Sequence, residues 1–184
     1  NGSVASGVDS TAMGSSTTAS GFASTAFGVS TIASGPNSVA LGSSTIASGS
    51  SSLAGGSAAR ANGQISLAFG DNVRADGSGS VALGTRASAE ADGSFAFGDR
   101  SSTTPFTVSQ PNQFKVRAAG GVEFFSNPEA NIGVRLVAGG VQFTSLSDVN
   151  AKHHFRDLDG EEVLEKFAAM PVTEWSYKAQ APAI

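Results

Sequence analysis

The chain has 184 residues, a formal net charge of −4 and no cysteine. Disulfide scaffolds and thiolate metal sites are therefore excluded, and mild acidity without a basic cluster argues against nucleic acid as a main partner. No apolar run approaches the ~18–20 residues that span a bilayer, so no membrane insertion is expected.

The chain opens at Asn1 without an initiator methionine or signal peptide. The expectation is an excised piece whose targeting information lies elsewhere. Charge divides it unevenly. No Asp, Glu, Lys or Arg occurs between Asp9 and Arg60, whereas Lys152–Lys178 is densely charged. Three regions follow: 1–100, 101–144 and 145–184.

The first region repeats. The pentapeptide SVALG stands at Ser38–Gly42 and again at Ser80–Gly84, an offset of 42 residues, or three times 14. Stepping by 14 gives Gly14, Gly28, Gly42, Gly56, Gly70, Gly84 and Gly98. Alanine stands two residues before each glycine and serine two before that, from Ser10 and Ala12 to Ser94 and Ala96. A half-period series adds Ala19 to Ala89 and Gly7 to Gly77, and breaks at Ala91. A flexible Gly/Ser linker would not hold apolar residues in phase. Here Met13, Phe27, Leu41, Phe69, Leu83 and Phe97 all precede a phase glycine, and only Gly55 breaks that column. A fixed period of this kind signals a repeat architecture.

Ser-x-Ala-x-Gly alternates, so the x residues share one face of a strand and Ser, Ala and Gly the other. A five-residue strand, a glycine bend, a second short strand and another bend complete one coil. Seven coils stacked as parallel strands would rise roughly 34 Å at ~4.8 Å per strand. A solenoid this thin buries little surface by itself. One face should fill the coil's interior and the other pack against neighbouring chains, and alternation does not say which does which. Oligomerisation is expected either way.

Other solenoids fit less well. Calcium-binding nonapeptide rolls need an Asp in each turn, and Asp is absent from Ser10 to Ala59. Ice-binding solenoids use threonine columns; Thr17, Thr31 and Thr45 form one, but Ala59, Val73 and Ala87 end it. A further column, Thr18, Ile32, Ile46, Arg60, Arg74 and Ser88, slides from apolar to basic. A position free to change character is expected to face solvent, and Ile32, Ile46, Arg60 and Arg74 are the candidate contact surface for a partner.

The seven-fold Ser-x-Ala-x-Gly comb with its half-period Ala-x-Gly resembles the head domains of trimeric autotransporter adhesins. That resemblance covers about the first hundred residues. It implies a left-handed parallel β-roll, three rolls side by side in a homotrimer, and a role in attachment to surfaces.

Between 101 and 144, "PFTVSQPNQFKVRAAGGVEFFSN" and "ANIGVRLVAGGVQFTSL" read as short strands punctuated by Gly-Gly and Asn. Phe114 and Val116 alternate with Lys115 and Arg117, and Val134 and Leu136 with Arg135. A β-rich intertwined neck is expected here, with no 14-residue period.

From Ser145 on, Asp159 is placed to cap a helix through "EEVLEKFAAM", with Val163, Phe167 and Met170 on one stripe and Pro171 as its stop. "VTEWSYK" then alternates as a strand. One helix and one strand form only a small α+β piece, so more chain is expected after Ile184. The His153-His154 pair, without Cys or a second cluster, is a weak metal candidate, and neither metal nor cofactor is expected.

"SLSDVNAKHHF", the helix, and "PVTEWSYK" resemble the start of the C-terminal intramolecular chaperone domain of phage tailspikes and endosialidases. That family helps three chains assemble, and many members then cut themselves at the motif serine. The resemblance implies Ser147 as nucleophile, Lys152 as base, and Leu146–Ser147 as the cleaved bond. A serine hydroxyl needs a base to be nucleophilic, and a lysine near its ordinary pKa of about 10.4 must be desolvated to serve. Residues five apart meet only across a bend or between subunits.

The sequence thus reads as an all-β trimeric fibre segment: head, neck and the start of a chaperone, displayed on a cell surface, an extracellular fibre or a phage-like particle. Its work is adhesive. The alternative is a serine–lysine autoprotease acting once during maturation, and a passive stalk is a third reading. The receptor, glycan or protein, is not legible.

Overall fold

The computed structural model of the chain describes residues 2–146, 157, 159–171 and 173. It divides into two compact units, Asn1–Phe124 with Val134–Thr144, and Phe125–Gly133 with Ser145–Ile184.

The first unit is a parallel β-solenoid. Its strands run β1 (Val4–Ala5), β2 (Thr11–Ser15), β3 (Thr18–Ala19), β4 (Thr25–Val29), β5 (Ile32–Ala33), β6 (Val39–Ser43), β7 (Ile46–Ala47) and β8 (Leu53–Ser57). The series continues through β9 (Arg60–Ala61), β10 (Leu67–Asp71), β11 (Arg74–Ala75), β12 (Val81–Thr85), β13 (Ala87–Ala89) and β14 (Phe95–Gly98). The short odd-numbered strands stack into one sheet and the longer even-numbered strands into a second. Every ladder between these strands is parallel and steps by one repeat, so Gly28 pairs with Gly42 and Ala33 with Ala47.

Volume decides which face turns inward. With only short strands on either side, the space between the sheets admits only small side chains. Ala26, Ala40, Ala54, Ala68, Ala82 and Ala96 are fully buried, as are Ala19, Ala33, Ala47, Ala61, Ala75 and Ala89. Ser24, Ser38 and Ser80 are buried beside them. The Thr17, Thr31 and Thr45 column also lies inside, continued by Ala59, Val73 and Ala87. Those threonines are therefore core residues and not an exposed ice-binding surface.

Two glycine columns permit the close stacking. A Cβ on Gly28, whose φ is +130°, would run into the carbonyl oxygen of Gly42, and one on Gly35 into that of Gly49. The first column thus needs glycine for backbone conformation and for space, the second for space alone. The coil corners were expected at glycines, yet most are made by other residues. Asp9, Ser16, Ala23, Ser30, Asn37 and Ser44 all have φ between 49° and 58°. They recur every seven residues, two left-handed corners per coil.

The sheets also run past residue 100, where the 14-residue period ends. β15 (Phe106–Val108) joins the short-strand sheet and β16 (Phe114–Arg117) the long-strand sheet. Gly84 pairs with Gly98, fourteen residues on, but Gly98 pairs with Arg117, nineteen on. Five extra residues in the connection hide an eighth coil from the repeat. Lys115 takes the alanine phase opposite Ala96 and Arg117 the glycine phase opposite Gly98. Both close the open end of the stack, Lys115 Nζ donating to the Thr107 carbonyl at 2.8 Å and Arg117 to that of Thr104 at 2.9 Å. Charged residues of this kind keep an edge strand from templating another chain.

Beyond it, β17 (Gly121–Phe125), β18 (Gly133–Val137) and β19 (Thr144–Leu146) form a separate three-stranded sheet in that order. Within the first unit, Glu123 pairs with Arg135 at 3.5 Å and the Phe124 and Phe143 rings lie 6.0 Å apart. In the second unit, helix α1 spans Gly160–Ala168. Asp159 caps it by accepting from the Glu161 N–H at 2.9 Å, Glu161 and Glu162 occupy the positive end of the dipole, and Lys166 pairs with Glu162. Its Val163 and Phe167 are exposed, as is Met170 just past its end. The strand expected over "VTEWSYK" falls almost wholly outside the described residues.

Candidate contact surfaces

Because the small residues fill the interior, the large ones of the long-strand sheet point outward. Met13, Phe27, Phe69 and Phe97 are exposed, with Leu41 and Leu83 half-buried in the same column. Thr25, Val39, Leu53, Leu67, Val81 and Phe95 form a half-buried column beside it. The result is a continuous apolar stripe along the roll, of the kind that marks an interaction surface. Gly55 interrupts the column for a local reason. The Phe69 ring lies over it, where a Cβ on Gly55 would collide with the ring edge. The repeat glycines Gly14, Gly28, Gly42, Gly70, Gly84 and Gly98 lie on the same strands and serve the stacking.

The short-strand sheet turns its outer face the other way. Ile32, Arg60 and Arg74 are exposed on it, Ile46 is half-buried, and Ser88 ends the column buried. Arg60 and Arg74 are register partners on adjacent strands. Asp76 lies 2.5 Å from Arg74 Nε, and the hydrogen bond and charge of that carboxylate raise the pKa of the guanidinium further. Asp76 in turn accepts from Asn62 Nδ2 at 2.6 Å, and Asn62 accepts from the Ser48 hydroxyl at 2.8 Å. A polar ladder thus climbs the same side of three coils.

A second charged centre closes the stack. Asp99 accepts from the Ala119 N–H at 2.6 Å, the Ser101 hydroxyl at 2.6 Å and Arg117 Nε at 3.2 Å. These bonds, the one from Ala119 first, hold its carboxyl down to about 2. Asp99 thereby ties the five-residue insertion to the strand that follows it. Sequence reasoning missed this residue, because the position after the phase glycine varies freely, from Ser15 and Val29 to Asp71 and Thr85, and nothing in that column singles out Asp99.

Leu146 ends β19 and is half-buried. Ser147 and Lys152 lie outside the described residues. Among the described residues, no three His, Cys, Asp or Glu side chains gather into a metal-binding group, and no helix is long and apolar enough to cross a membrane.

Stacked parallel coils with a small-residue interior define a β-solenoid of the β-roll type. The family profile of the YadA head domain repeat matches it over residues 1–17, 5–21, 19–45 and 75–101, less than half of the chain. Across the unmatched stretch between 45 and 75 the ladders continue in the same register. Repeat and solenoid together support a trimeric autotransporter adhesin head, a type of domain that is typically trimeric and surface-exposed. No curated protein matches the chain.

Proposed function

We propose that this chain is a segment of a trimeric surface fibre whose head mediates attachment to a cell or host surface. One observation carries the reading. A roll that fills its own interior with alanine and serine still presents Met13, Phe27, Phe69 and Phe97 to solvent on a single face. Burying a large apolar side chain contributes about 1.5–3 kcal/mol, so three copies of this stripe packed together would supply stability that the thin core lacks. The opposite sheet, with its Ile and Arg column, then remains free for a partner. Beads carrying the assembled chain should adhere to cell layers or matrix-coated glass, and should still do so after Ser147→Ala. Failure to adhere to any such surface would leave a passive stalk.

The C-terminal segment is proposed as the start of an assembly chaperone, with Ser147 and Lys152 as a self-cleaving pair. Support comes from the motif itself and from α1, which stands where the motif pattern expects a helix and ends before Pro171.

A further inference from the structure

Two departures from the roll's own rules converge on one place. Arg60 and Arg74 are direct register partners on β9 and β11, and like charges opposite each other on neighbouring strands are unfavourable. Asp76 relieves Arg74, whereas Arg60 makes no ion pair among the described residues. The second departure is Arg86, which turns a coil corner at φ 52°. The same corner is taken by Ser44, Ala58 and Asn72 in the three coils before it, all shorter side chains. A long side chain in the left-handed region is disfavoured, and such strain gathers at functional sites. Local rules broken without structural return mark the same kind of place.

All three arginines line a single cleft of about 270 Å³ on the short-strand side of the roll. Asn72, Ser88 and Thr107 add amide and hydroxyl groups, and Glu90 contributes one carboxylate. The Ser88 hydroxyl donates to Glu90 at 3.3 Å, and the charge of that carboxylate also acts on Arg74. A chain of net charge −4 thus keeps a cationic, hydroxyl-lined cleft at one end of a roll whose early coils are nearly uncharged. Guanidinium groups bind carboxylate and sulfate through paired N–H donors. β9, β11 and β13 are paired on both sides, and β15, which contributes Thr107, ends the sheet with only three residues, too short an edge to hold an extended peptide. The apolar part of the lining is small, Val73, Ala87 and Pro105, and offers little to a large peptide anchor.

We propose that this cleft, built on Arg60, Arg74 and Arg86, binds the carboxylate or sulfate groups of an acidic saccharide. The inference deepens the attachment reading and rests on it, by naming the receptor's chemistry.

Calorimetric titration of the full chain tests it with four probes: a heparin-derived hexasaccharide, an oligosialic acid, a neutral maltohexaose and an oligoglutamate peptide. One site per chain is expected for an acidic saccharide and none for maltohexaose. Binding of the heparin fragment alone assigns sulfate, and binding of the sialic acid oligomer alone assigns carboxylate. Arg60→Thr with Arg86→Asn should weaken that binding at least tenfold. Both replacements copy residues of earlier coils, Thr18 and Asn72, so the fold tolerates them. Arg100→Gln, outside the cleft, should change it less than twofold. Equal losses from both variants, no binding of either acidic saccharide, or tighter binding of the oligoglutamate peptide would overturn the proposal. Adhesion of beads without saccharide binding would leave attachment standing and remove this site alone.

Discussion

The Phe69 ring occupies the space above Gly55, its register partner one coil earlier. The pair explains why the apolar column skips a coil: one ring serves two positions. Gly55 also has no left-handed backbone, so only the ring resists a larger residue there. Gly55→Ala should therefore cost no more than about 1 kcal/mol, because the ring can rotate away. Gly28→Ala adds the same methyl group but drives its Cβ into the Gly42 backbone from a φ of +130°, and should cost about 3 kcal/mol or abolish folding. Thermal melts of the two variants would separate them, and equal melting points would contradict the stacking argument.

Ile65 offers the opposite case. It sits at φ 55° and is 66% exposed. A β-branched residue in the left-handed region is strained, and Asn37 fills the same corner two coils earlier. Ile65→Asn should stabilise the chain by about 1 kcal/mol, a rise of a few degrees in melting temperature. A fall would show that the Ile65 side chain is packed in the assembly.

Asp99 makes stability depend on acid. Its folded pKa, about 2, lies below its ordinary value of 3.8. The stabilisation it contributes is thus complete above the ordinary value and is lost as pH falls toward the folded one. Asp99→Asn should lower the melting temperature at neutral pH, and the difference from the unaltered chain should vanish as pH approaches 2. A difference that persists unchanged at that pH would remove Asp99 as the acid-sensitive staple.

The proposed self-cleavage has a simple signature. In a chain extended at its C-terminus, denaturing mass spectrometry should find a break between Leu146 and Ser147, and Ser147→Ala or Lys152→Ala should abolish it. A break that survives either substitution would assign the cut to a contaminating protease.

Much of the roll was legible because its constraint is translational. Each coil must accept the next, so Gly28 and Gly35 recur in phase with every neighbour. Strand alternation separates the small residues from the large without naming the inner face. That choice is made by the volume between the sheets, which the sequence does not display. The left-handed corners were hidden because Asp9, Ala23, Asn37 and Ile65 share no residue type. The eighth coil was hidden by five extra residues and by Lys115 and Arg117 in the alanine and glycine phases. In the candidate cleft, Arg60 and Arg74 were visible as a column. Arg86 was not, since it belongs to a different phase and joins them only through the turn of the coil.

The central claim is that the outward stripe joins three chains. Native mass spectrometry of the 18.3 kDa chain tests it most directly, beside a variant carrying Phe27→Asp and Phe69→Asp. The account predicts a trimer for the unaltered chain and dissociation for the variant. A monomeric unaltered chain, or a trimer indifferent to two buried carboxylates, would contradict it.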